Sequence, residues 1–271
     1  MGPHRLICGD ALQAGTYETF MPSETAELVF TDPPYNVEID GHVKRKAAPG
    51  TREFVMASGE MSAGQFTHFL RQFLSETCKV LEDGAIAYVC MDWRHMQELL
   101  AAAEGLVEFK QLCVWSKDRA GMGTFYRSQH ELVFVFKYGT APHINNFGLG
   151  NKGRYRTNIW NYPVVHTAQQ PELEGVQHPT VKPASMVMDA LRDCSNRGHI
   201  VLDPFGGSGT TLIAAEKTGR QARLIELDPI YCDMIIRRWE KYTGKEAFLQ
   251  EEEVTFDEVR KQRKPEENKD D

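Results

Sequence analysis

A chain of 271 residues with 41% hydrophobic, 10% aromatic and 25% charged residues suits one large folded domain or two small ones. Its 31 lysines and arginines face 38 acids, and the net charge of −7 excludes a uniformly basic surface while leaving local basic patches open. The start, MGPHRLICGD, lacks the apolar core of a signal peptide, and no apolar run approaches the roughly 20 residues that span a bilayer. Six scattered cysteines (Cys8, Cys78, Cys90, Cys113, Cys194, Cys232) form no CxxC pair. A cytoplasmic location is therefore expected, with no membrane association, disulfide framework or metal site.

Apolar runs and helical periodicities alternate along the chain, the pattern of an α/β protein with a largely parallel sheet. Strands are predicted at 5–8 and 27–31, followed by a helix over 62–81. That helix places Phe66, Phe69, Leu70, Phe73, Leu74, Thr77 and Leu81 on one face, and Ser62 with Gln65 has capping-box spacing. Next come a strand at 85–91, a helix at 93–104, strands at 111–115 and 131–137, and a helix at 183–196. A strand at 199–202, a helix at 208–218, a strand at 222–226 and a helix at 229–242 complete the pattern. Two long segments break it: the polar residues 36–61, and residues 139–179, rich in Gly, Pro, Asn and aromatics. Loops of that length inside a domain are usually functional. The stretch 250–271, with nine acids and five bases, reads as a solvated, partly helical tail.

Four motifs carry chemistry. Asp32-Pro33-Pro34-Tyr35-Asn36 directly follows the run Leu28-Val29-Phe30, so a strand delivers a carboxylate, two rigid prolines and an aromatic to its carboxyl end. An acceptor carboxylate, an acceptor carbonyl and a flat ring suit a planar group bearing an NH2. In the second motif, Asp203-Pro204-Phe205-Gly206-Gly207-Ser208-Gly209-Thr210, a strand runs into a glycine turn and then a helix expected to be capped by Ser208. Some 20 residues on, Glu226 and Asp228 end the next strand, where an acid can grip ribose hydroxyls. This glycine turn is neither GxGxxG nor GxxxxGKS, which disfavours a nicotinamide dehydrogenase and a P-loop enzyme. The third motif, His178-Pro179-Thr180-Val181-Lys182-Pro183, opens a helix; Thr180 and Lys182 could bind a carboxylate near the glycine turn. The fourth, Cys8-Gly9-Asp10-Ala11, ends the first strand with another acid.

Together these motifs resemble the S-adenosylmethionine-dependent amino-methyltransferases of DNA, across roughly residues 4–245. That family carries DPPY, DPFxGSGT, an acid after the following strand, and HPTxKP. The DPPY motif here precedes the DPF motif by some 170 residues, an order similar to the permuted β class. The resemblance implies a Rossmann-like fold: a mostly parallel twisted sheet, helices on both faces and one antiparallel strand. It implies a catalytic domain over 1–250, a target-recognition insertion at 139–179 and a charged tail at 251–271.

The implied reaction moves the methyl group of S-adenosylmethionine to adenine N6, with the base flipped out of the duplex. Asp32 and the Pro33 carbonyl would accept the amino hydrogens, with Pro34 and Tyr35 completing the catalytic motif and Tyr35 stacking on the base. The implied cofactor residues are Phe205, Gly206, Gly207, Ser208, Gly209 and Thr210 with Asp203 around the methionine part, and Glu226 with Asp228 at the ribose. Asp10 and Ala11 would lie against the adenine ring, and His178, Thr180 and Lys182 near the methionine carboxylate. Double-stranded DNA would meet Lys44, Arg45, Lys46 and Arg52, then Arg119 and Arg127 (with Lys117), and Lys152, Arg154 and Arg156. Asp at the head of DPPY leans toward adenine; cytosine N4 is the nearest alternative, and a catalytically silent nucleic-acid-binding subunit is a third reading. A recognition segment of about 40 residues is short for reading a long site, which raises a homodimer, a restriction partner or a separate specificity domain as partners.

Overall fold

The computed structural model describes residues 1–37, 59–121, 125–165, 172–173, 176–177, 181–250 and 252–263. Its strands are β1 (Arg5–Cys8), β2 (Ala26–Thr31), β3 (Leu81–Met91), β4 (Glu108–Ser116), β5 (His130–Lys137), β6 (Ile159–Asn161), β7 (Glu172–Leu173), β8 (Val176–Gln177), β9 (Ile200–Asp203) and β10 (Gln221–Glu226). Its helices are α1 (Ala14–Phe20), α2 (Ala63–Cys78), α3 (Met96–Ala103), α4 (Ala184–Cys194), α5 (Thr210–Thr218), α6 (Pro229–Thr243) and α7 (Phe256–Arg263). Among the described residues, no helix is long and apolar enough to cross a membrane.

Eight strands form one sheet in the order β1-β10-β9-β2-β3-β5-β4-β6. All neighbours are parallel except at β5, which runs antiparallel to β3 and β4. This is the expected α/β architecture with its single antiparallel strand. Successive side chains of a strand point to opposite faces, so runs buried on both sides read as continuous apolar sequence. Val29 accordingly packs with Phe66, Phe69, Phe73 and Leu99 of α2 and α3, whereas Leu28 and Phe30 pack with Met186, Leu191, Leu212, Ile235 and Trp239 of α4, α5 and α6. Burying each such large side chain contributes about 2 kcal/mol.

Local chemistry sets the helix ends. Ser62 Oγ accepts from the Gln65 N–H while the Gln65 side chain takes the Ser62 N–H, so α2 starts where its capping box predicts. At α5 the expectation of a Ser208 cap fails. The cap position is Gly209, left-handed at φ 74°, and Ser208 Oγ meets Thr210 Oγ1 instead. A Cβ at Gly209 would sit 3.1 Å from Ile235 of α6, so both conformation and space require glycine there. The tail begins as α7, anchored by Phe256 against the α4–α6 core and by Arg237 on Asp257.

Antiparallel β5 brings its amino end, Glu131, to the edge where β2, β4, β9 and β10 present their carboxyl ends. The described residues of the four motifs meet along this edge.

Candidate active site

Asp32 leaves β2 at the carboxyl edge, beside the half-buried Tyr35. The Tyr35 hydroxyl donates to Asp32 Oδ1. Lys182 reaches in from the segment before α4. Its Nζ lies 2.5 Å from Asp32 Oδ2, 3.1 Å from the Tyr35 hydroxyl and 2.9 Å from Glu131 Oε2. Glu131 takes a second ammonium on its other oxygen, 2.6 Å from Lys117 Nζ. Two carboxylates and two ammoniums thus form a chain, Asp32–Lys182–Glu131–Lys117, with Lys182 buried and the other three half-buried.

Burial pushes the Asp32 carboxyl above its usual range; Lys182 opposes this and the charge of Glu131 reinforces it. Burial also acts on Glu131, but two lysines outweigh it and hold Glu131 at about 2. Burial works against the charge of Lys182, yet Asp32 and Glu131 outweigh it and raise its pKa. Asp32 is thus the more basic of the two carboxylates.

Lys182, expected near the methionine carboxylate, directs the three hydrogens of its ammonium to Asp32, Tyr35 and Glu131. Lys117, expected at DNA, is turned inward as well. No motif marks Glu131, because it sits in an ordinary apolar strand; a lone acid at that strand's amino end is its sequence trace. Among the described residues no donor bonds the Pro33 or Pro34 carbonyl. Asn36, left-handed at φ 54°, binds the N–H groups of Gly59 and Met61 and the Met61 carbonyl, closing the base of the intervening loop.

The β9 and β10 ends are held differently. Asp203 Oδ1 accepts from the Thr31 hydroxyl at 2.9 Å and from the Phe205 N–H at 3.2 Å, joining the DPF strand to the DPPY strand. Glu226 accepts the Gly207 N–H on one oxygen at 2.7 Å and the Asp228 N–H on the other at 2.8 Å. With only neutral donors, burial pushes both acids up to about 7. Asp228 caps α6 through the Ile230 N–H, a structural duty the motif reading did not assign it. Asp10 Oδ1 binds the Leu12 N–H, and the buried Ala11 gives its carbonyl to the Tyr17 hydroxyl. Phe205 packs edge-on against Phe73, and Arg238 of α6 holds the Ser208 carbonyl at 2.7 Å and Thr210 Oγ1 at 3.2 Å.

Each Glu226 oxygen keeps a lone pair beyond its backbone bond, the glycine turn brings bare backbone alongside, and Asp10 ends the adjacent strand. That set of acceptors fits a ribose and an adenine amino group.

The basic patches divide. Lys44, Arg45, Lys46 and Arg52 lie outside the described residues, as do His178 and Thr180. Arg119 and Arg127 are exposed on the β4–β5 turn, Arg119 beside Asp118. Lys152 donates to the Asn145 carbonyl. Arg154 and Arg156 both turn onto Asp193 of α4, at 2.7 and 2.9 Å, with Asp189 beside them. Burial of Asp193, 2% exposed, requires these partners. The β4–β5 turn also carries Phe125 and Tyr126, 87% and 84% exposed with ring centroids 4.5 Å apart, which the sequence reading passed over.

The chain belongs to the DNA methylase family, whose profile matches residues 26–237. It is a DNA methyltransferase, and its cofactor is S-adenosylmethionine. It is 26% identical over 260 residues to the DNA adenine methyltransferase YhdJ of Escherichia coli (strain K12), covering 86% of this chain and 81% of that one. Among solved structures, its fold is similar to the PvuII DNA methyltransferase (cytosine-N4-specific), at TM-score 0.67 and 16% identity over 87% of this chain and 86% of that one. The M1.HpyAVI–SAM complex is similar at TM-score 0.59 and 15% identity, over 86% of this chain and 97% of that one.

Proposed function

We propose that the chain methylates the N6 amino group of a flipped-out adenine in double-stranded DNA. The observation that carries this reading is the basic, half-buried Asp32 carboxylate at the β2 end, next to Tyr35 and one strand away from the glycine turn. The Asp that opens the motif and the adenine specificity of the Escherichia coli relative favour adenine over cytosine.

An exocyclic amino group is a poor nucleophile because its lone pair is delocalised into the ring. Asp32 accepts one amino hydrogen and the Pro33 carbonyl the other, so the nitrogen pyramidalises and its lone pair is freed. Acceptors fixed in advance stabilise the developing positive charge without reorganisation, and fixed alignment adds a positional advantage. S-adenosylmethionine, when bound, supplies a sulfonium methyl whose C–S electron pair stays with sulfur as the N–C bond forms. Asp32 then takes the proton that the nitrogen releases. Glu226 holds the ribose hydroxyls, Asp10 and Ala11 lie against the adenine ring, and residues 205–210 enclose the methionine part. Tyr35 supports the flipped base, with its hydroxyl fixed on Asp32.

Residues 1–250 act as the catalytic domain, with 139–179 as the recognition insertion and 251–271 as the tail. The insertion is short, so a second recognition element completes the reading of the site: a second copy, a restriction partner or a separate specificity domain. Six free thiols support a reducing cytoplasm.

The test incubates wild type and Asp32→Ala with methyl-labelled S-adenosylmethionine and unmethylated genomic DNA, followed by mass separation of the nucleosides. Labelled N6-methyladenine is expected, lost by at least about 10³-fold in the variant, with cofactor affinity retained. Labelled N4-methylcytosine would move the reaction to cytosine, and unlabelled DNA would overturn the reading.

A further inference from the structure

Asp32 is faced by charged and titratable groups from every element packed around it. Tyr35 comes from its own loop, Cys90 from β3, Glu131 from β5, Asp203 from β9 and Lys182 from the segment before α4. Behind Glu131 stands Lys117 at the end of β4. A carboxylate with a private ammonium at 2.5 Å would be a weak hydrogen acceptor, because its charge is already spent on one partner. Asp32 has no private ammonium. Lys182 divides itself between Asp32 and Glu131, at 2.5 and 2.9 Å, and Glu131 is itself held in place by Lys117 at 2.6 Å.

We propose that Glu131 is a positioning residue for methyl transfer: held by Lys117, it keeps Lys182 shared between two carboxylates, so that Asp32 stays free to accept the amino hydrogens. This rests on Asp32 being the acceptor in the proposed reaction. Glu131 meets Lys117, Lys182 and, at 3.3 Å, the Tyr35 hydroxyl, and acts through Lys182. The net charge of the four groups is zero, so deleting either outer control changes the field at Asp32 with a defined sign. Loss of Glu131 removes a negative neighbour and gives Lys182 wholly to Asp32. Loss of Lys117 removes a positive neighbour and lets Glu131 draw Lys182 away.

The experiment follows the Asp32 carboxyl by ¹³C NMR titration of aspartate-labelled full-length protein, assigned with Asp32→Asn, in wild type, Glu131→Gln, Glu131→Asp and Lys117→Met. Glu131→Gln is expected to lower the Asp32 midpoint by about one pH unit and Lys117→Met to raise it by a similar amount. Glu131→Asp should restore most of the wild-type value. In the methylation assay the acid limb of kcat moves in the same directions, kcat of Glu131→Gln falls about tenfold or more, and KM for DNA is unchanged. Midpoints that stay put, or move the same way in both variants, overturn the proposal. If Glu131→Gln fails to fold, Lys117→Met and Glu131→Asp carry the test, and an unmoved midpoint in Lys117→Met overturns it alone. Shifted midpoints in a protein that does not methylate DNA would support the coupling while removing the functional reading; methylation with unshifted midpoints would do the reverse.

Discussion

Asp32 and Glu226 are the same kind of group in the same kind of place, a carboxylate at the carboxyl end of a parallel strand, yet the protein satisfies them in opposite ways. Asp32 is balanced by a buried ammonium; Glu226 receives two backbone N–H groups and no cation. In the proposed reaction the first, held by that ammonium, accepts from a nitrogen that is becoming positive. The second sits near its titration point, pushed up to about 7 by burial, and ionised it suits neutral hydroxyl donors. Position on the sheet does not set a carboxylate's role; the charge of its donors does.

The largest expected effect breaks the charged side of this contrast. Lys182→Met leaves Asp32 and Glu131 facing each other in a buried site, and should cost about 3–5 kcal/mol of stability in urea unfolding. Asp203→Asn, on the neutral side, should cost only about 1–2 kcal/mol because Asn retains an acceptor for Thr31. Equal losses would erase the distinction. A middle-sized effect tests Glu226 by pH. Its folded pKa lies above the carboxylate norm, so the folded state holds the proton more tightly, and the cofactor-free protein loses stability as pH rises from about 4.5 to 7. Cofactor binding runs the other way, since the ionised form accepts the ribose hydroxyls. Calorimetric affinity for S-adenosylmethionine should rise about tenfold from pH 6 to pH 8, whereas Glu226→Gln should bind weakly with a flat profile. The smallest effect lies outside both acids. Paired substitution of Phe125 and Tyr126 by Ala should raise KM for DNA severalfold, through lost base stacking worth about 1–3 kcal/mol, with Tm unchanged because both rings are exposed.

The sheet was legible because strands buried on both faces read as apolar runs, and the ends of each predicted strand from 5–8 to 222–226 lie within four residues of those of an observed one. Helix α1 escaped because seven residues with two buried side chains make no period, and β6 because a three-residue edge strand carries no alternation. The site motifs placed Asp32, Asp203 and Glu226 at strand ends for the same reason. What the motifs left dark was partnership. Lys182 meets Asp32 across 150 positions and Arg154 meets Asp193 across 39, and no local spacing encodes such approaches. Basic side chains in a polar loop look alike whether they await phosphate or an aspartate arriving from another helix.

The sheet order has a consequence for how the enzyme comes into being. The block β1-β10-β9 and the block β2-β3-β5-β4-β6 are joined in the sheet by one parallel seam, Leu28 on Val201 and Val29 on Leu202, fastened by the Thr31–Asp203 bond. Closing it brings together residues more than 170 positions apart, and pairing of such long range is slow because the chain entropy is lost before any contact repays it. A chain emerging from the ribosome therefore carries Asp32 early and exposes the unpaired edge of β2 until β9 has been made. Catalytic competence is among the last properties the polypeptide acquires, and the β2 edge is where premature pairing with a neighbouring nascent chain would trap it.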